Sequence, residues 1–213
     1  MKITDLLEAR RNPDHISQPS RDIYDHISKY FGKDNIFLSF QDINKIGLNP
    51  KPNHGTPLGF YAYPLISYEH NLKRNKDRGI KNVLNVFPYG DGRQFIKIFT
   101  VTSEPIDVMD YNSFDQDKEK LIKLFGDEIV NNSIREKYID KTQFEKIYDL
   151  TFRLALFHAN GSDVHFFWNK LLRKMGFESI VDYGHGFIHT MERSQALFLT
   201  TKTIKPLETI ETF

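Results

Sequence analysis

The chain has 213 residues, 29 Lys and Arg against 28 Asp and Glu, 18 Phe, 10 Tyr and no Cys. Balanced charge removes the global field that draws a protein to nucleic acid or an anionic membrane, and the lack of cysteine excludes disulfides and thiolate metal sites. No run reaches the roughly 18 apolar residues of a membrane span, and the length suits a single domain with a substantial core.

Residues 1–21 read as a peripheral segment plus linker. Ile3, Leu6 and Leu7 give one apolar side of a short helix that Pro13 stops, and residues 12–21 are rich in Pro, Ser and Asn. The domain is expected to span 22–213. A helix is predicted over Asp22–Phe31 from the stripe Ile23, Tyr24, Ile27 and Tyr30 or Phe31, ended by Gly32. Asn35–Phe40 reads as a strand in which Ser39 is the only polar side chain after Asn35. Gln41–Pro50 reads as a short amphipathic helical turn, with Ile43 and Ile46 apolar and Gly47 as a stop, before a stiff loop at Asn49–Gly55.

Thr56–Leu65 is the stretch around which the rest is arranged. Leu58, Phe60 and Ala62 fall on one strand face, Tyr61 and Tyr63 on the other, and Gly59 sits where a side chain would obstruct a neighbouring backbone. The two tyrosines suit either core packing or a stacking platform for a flat ring. Lys73, Arg74, Lys76, Arg78 and Lys81 then read as a basic loop, either solvated or facing an anion. Val83–Pro88 and Phe95–Val101 are strand-like around a turn at Tyr89–Gln94, and Pro105–Met109 is a short strand.

Residues 115–175 change to helical spacing. The clearest stripes are Phe144, Ile147, Tyr148, Thr151, Phe152 and Ala155, then Val164, Phe167, Trp168, Leu171 and Leu172. Trp168, His158 and His165 read as structural residues. Gly176–Tyr183 turns into a strand, and a glycine-rich loop at 184–189 leads to Ser194–Leu199. His185 and His189 lie on that loop with no third ligand near in sequence, so no metal site is expected. Phosphate-loop, dinucleotide-fingerprint and nucleophile-elbow motifs are absent from the sequence.

Two sets of residues carry a resemblance. The order of short helix, Pro-rich loop and Gly59-Phe60-Tyr61 strand, with Gly176–Val181 and Ser194–Leu199 followed by Thr203–Leu207, resembles the ADP-ribosyltransferase fold. The resemblance implies NAD as substrate, with Tyr61 stacking on nicotinamide, Gly59 and Tyr63 beside it, and Ser39 at the position that holds the ribose. It puts Gln195 where the family carries its catalytic Glu, and Glu192 is near enough in sequence to substitute. Leu6-Leu7-Glu8, before Ala9, resembles the cleavage site of phage head-protein targeting peptides.

The expected fold is α+β, with ADP-ribosyltransferase-like split, mostly antiparallel sheets from residues 35–40, 58–63, 83–101, 178–182 and 195–200 and a helical insertion at 115–175. The implied function is NAD-dependent modification of a host protein by a transferase packaged in a phage head, which places it in the virion interior and then the host cytoplasm. The acceptor would be a host or phage protein, with the capsid interior as a further partner. The alternative is a non-catalytic virion or protein-interaction component on the same fold.

Overall fold

The computed structural model describes residues 18–42, 44–48, 57–80, 82–87, 93–134, 140–184 and 194–212. The expectations for residues 1–17, Ile43, the loop at 49–55, Lys81, the turn at 89–92, His185, His189 and Glu192 lie outside the described residues. The fold is α+β. Seven strands, β1 (Ile36–Gln41), β2 (Phe60–Pro64), β3 (Phe95–Val101), β4 (Ile106–Asp107), β5 (Ser179–Asp182), β6 (Gln195–Phe198) and β7 (Ile204–Glu211), are ordered β4-β5-β6-β2-β1-β3-β7. Only β4 and β5 pair in parallel among the registers of described residues; β1–β2, β1–β3, β2–β6 and β5–β6 are antiparallel. The chain divides into two compact units: Met1–Lys45, Tyr63–Thr100 and Pro206–Phe213 form one, Ile46–Ala62 and Val101–Lys205 the other.

In the first unit β1 lies between β3 and the end of β2, with Leu38 opposite both Ile98 and Tyr63. Helix α1 (Gln18–Ser28) adds Ile23, Tyr24 and Ile27 to a core that includes Leu38, Phe40, Ile96 and Ile98. Rings fill the centre: Phe87 lies 4.9 Å from Phe40, 5.5 Å from Tyr63 and 4.5 Å from Tyr68. The burial of so much aromatic surface compensates for the modest aliphatic content of the chain.

Several local expectations are corrected here. The helix begins at Gln18, so residues 18–21 are helical and do not belong to a linker. β1 runs to Gln41, and residues 44–48 form no helix; the pair Ile43 and Ile46 before the stop at Gly47 is too short a pattern to offset the cost of nucleation. The basic stretch is largely helix α2 (Glu69–Asp77), and its lysines are engaged: Lys73 lies over Phe31 and 3.8 Å from Glu69, Lys76 over Tyr24 and 3.5 Å from Asp25. Val83–Val86 is a 3-10 turn because the Asn82 side chain accepts the Leu84 amide proton at 2.9 Å and ties the chain into a tight turn. It is no strand, and β3 has β1 and β7 as its neighbours.

The second unit contains β4, β5, β6 and the first part of β2, with four helices among the described residues between β4 and β5: α3 (Phe114–Phe125), α4 (Asp127–Ser133), α5 (Gln143–His158) and α6 (Asp163–Lys174). α5 starts at a reciprocal cap, in which the Thr142 hydroxyl accepts from the Glu145 amide and the Glu145 carboxylate accepts from the Thr142 amide. Its Ile147, Leu150 and Leu154 join Trp168 and Leu172 of α6 against Ile180 and Leu197 of the strands. Trp168 is buried, and its indole donates to Thr151 Oγ1 at 3.0 Å. Among the described residues no helix is long and apolar enough to cross a membrane.

Lys97, in the middle of β3, is 3% exposed and has no acidic partner among the described residues. Its ammonium donates to Asn44 and to Thr209 Oγ1, at 3.2 Å from the latter, and burial lowers its pKa below the ordinary 10.5. The unfolded chain therefore binds this proton more tightly, and folding stability rises as pH increases between the lowered value and 10.5. Lys97→Met removes the desolvated charge, while Asn44 and Thr209 are exposed and can turn to water. Urea denaturation at neutral pH should show the variant about 1 kcal/mol more stable, with that alkaline gain abolished. A less stable variant would contradict this account of Lys97.

Candidate functional site

Gly59, Tyr61 and Gln195 all belong to the second unit, and β2–β6 pairing brings their strands together. Tyr61 lies opposite Leu197, and Ala62 opposite Ala196. Directly opposed residues share a sheet face, so Tyr61, Leu197 and Gln195 point to the side covered by the α5–α6 core, together with Ile180 and Asp182 across β5.

Gly59 precedes β2 instead of lying within it, because the strand begins at Phe60. A Cβ at Gly59 would sit 2.2 Å from Leu197 Cδ1 and 3.3 Å from the Phe198 carbonyl oxygen. The space a side chain would need is occupied by the buried Leu197. Leu58 beside it is held by α6 through both backbone groups: its N–H donates to the His165 carbonyl at 3.0 Å, and its carbonyl accepts from Asn169 Nδ2 at 2.5 Å. The same Asn169 nitrogen donates to the Leu199 carbonyl at 2.9 Å. One buried amide thus joins the approach to β2 and the exit of β6.

Tyr61 is half-buried against the helical core, and its hydroxyl donates to the Pro57 carbonyl at 3.2 Å. Tyr148 on α5 is half-buried with its hydroxyl buried; burial of that group foremost, then the neighbouring Tyr61 and Asp149, push its pKa well above the ordinary value. The Tyr148 phenol is therefore a neutral group in a poorly solvated environment. Gln195 is 2% exposed and faces Asp182 across the ladder, and its Oε1 has no hydrogen-bond partner among the described residues.

The other sequence-derived residues lie elsewhere. Ser39 is buried in β1 of the first unit, opposite Lys97, and its Oγ accepts from Gln41 Nε2 at 2.7 Å. Tyr63 is part of the aromatic core of that unit. Among the described residues no group of three or more His, Asp or Glu side chains is placed to hold a metal ion. His158 is exposed, with the rings of Phe125, Phe157 and Phe167 within 4.8 to 5.7 Å.

Sequence reading missed Asn169. The signal was present: an amide with poor helix propensity, placed between Trp168 and Leu171 in an otherwise apolar stripe. Fold and site together define an α+β protein whose Gly59–Tyr61 segment and β6 are packed against a helical layer. No family model, no curated protein and no solved structure matches the chain.

Asn169→Ala leaves the Leu58 and Leu199 carbonyls without their donor in a site where Asn169 is 4% exposed. The expected loss in urea denaturation is about 2 kcal/mol. An unchanged midpoint would show that the bridge contributes nothing.

Proposed function

We propose that this chain is a non-catalytic protein-interaction component built on an ADP-ribosyltransferase-like framework, with the nicotinamide-side residues turned to packing. The observation that carries this reading is the position of Gln195, 2% exposed on the helix-covered face. The filled space at Gly59 and the Tyr61 hydroxyl bonded to Pro57 agree with it. Breaking the nicotinamide–ribose bond of NAD develops positive charge at the ribose, which calls for a carboxylate; the neutral Gln195 amide supplies none. The phage-head setting, virion interior and then host cytoplasm, rests on Leu6-Leu7-Glu8 and the resemblance it carries.

A second reading has one observation in its favour. The orphaned Gln195 Oε1 is a buried acceptor at the position where the resemblance expects a ribose hydroxyl to donate. On that reading the protein uses NAD to modify a host or phage protein, with Gln195 and Glu192 at the reacting end and Tyr61 and Gly59 at the nicotinamide.

Calorimetric titration with NAD separates the two, followed by turnover assays on Gln195→Glu and denaturation of that variant and Gln195→Met. The expected results are no heat at millimolar NAD and no gained turnover. Gln195→Glu should lose about 3 kcal/mol of stability, since it buries a carboxylate directly opposite Asp182. Gln195→Met should stay within about 1 kcal/mol of wild type, because Oε1 gives up no bond. NAD binding weakened by Tyr61→Ala, with turnover appearing in Gln195→Glu, would establish the transferase reading.

A further inference from the structure

Within the second unit, a cavity of about 680 Å³ opens beside β4, the start of α3 and the turn from α6 into β5. This is an ordinary volume for a small-molecule site. One wall is aromatic: Tyr111 and Phe177 have ring centroids 5.5 Å apart, and the exposed Tyr183 also lines the space. Glu104, Asp107 and Asp110 line it as well.

The charges divide into two sets. Asp117 is buried and already compensated, accepting from the Tyr111 hydroxyl and from Lys120 Nζ, each at 2.5 Å. Lys120 is thereby engaged with an acid in the wall. Asp107 accepts the Met109 amide through Oδ1 only. The side chains of Glu104 and Asp110 are exposed and have neither a hydrogen bond nor an ion pair among the described residues. The cavity therefore combines uncompensated carboxylates with aromatic and apolar walls. Among the described residues, three or more ligands do not converge as a metal ion requires. Carboxylate acceptors beside aromatic and apolar residues suit instead an organic cation, whose head donates to several carboxylates and whose stem covers apolar surface.

We propose that this cavity binds an aliphatic ammonium ion, supplied by a free polyamine or by a lysine side chain of a partner protein. The site uses neither Tyr61 nor Gln195, so its success or failure is independent of the NAD titration.

The test is amide-resolved NMR titration of the full chain with cadaverine and with Nα-acetyl-lysine amide, using pentanediol and Mg²⁺ as controls. Saturable shifts at Tyr111, Phe177 and Tyr183 with at least one amine are expected, and the tighter amine identifies the source. The double variant Glu104→Gln, Asp110→Asn should fold as wild type, since both residues are exposed, and bind about fivefold or more weakly. No saturable shift with either amine would overturn the proposal. So would the same shifts with pentanediol or Mg²⁺, or unchanged affinity in a folded double variant.

Discussion

The second unit depends on the contact between Gly59 and β6. A Cβ at residue 59 would overlap the end of the Leu197 side chain and crowd the Phe198 carbonyl, so glycine lets this backbone approach β6 without displacing Leu197. Leu58 beside it has both backbone groups bonded to α6, and Asn169 extends that attachment to Leu199. Strand register follows from these fixed points. Moving β2 by one residue would turn Tyr61 away from the helices and break the pairing with Leu197.

That register has a chemical consequence. It puts Gln195 beside Leu197 on a covered face, next to a layer whose phenol at Tyr148 is held neutral by burial. Such surroundings favour uncharged groups, because a charge there lacks both water and a partner. An amide suits residue 195 on packing grounds alone, and Asp182 directly opposite adds to the cost of any acid. The first unit handles its buried charge differently. Lys97 reaches oxygens of the exposed residues Asn44 and Thr209.

Much of the architecture was legible in the sequence. The helices at 114–174 carry long apolar stripes, and β3 reads as a strand from the rings and isoleucines at Phe95, Ile96, Ile98 and Phe99. Short segments were less legible. Val83–Val86 has strand composition but folds as a 3-10 turn because one Asn82 side chain captures a backbone proton, a local bond that apolar patterning does not register. The lysines of α2 read as loop charge because their partners, the rings of Tyr24 and Phe31, are distant in sequence. At the candidate site, alternation correctly separated Tyr61 from Phe60. It could not tell whether the tyrosine face met solvent or helices, since that depends on the long-range placement of α5 and α6.

On the proposed non-catalytic reading, the Tyr61 and Gln195 face is interior packing and binds no NAD. Hydrogen exchange read by mass spectrometry over residues 57–62 and 195–199, with and without millimolar NAD, tests it most directly. The account predicts slow exchange in both segments and no change when NAD is added. Protection of both segments by NAD would contradict it.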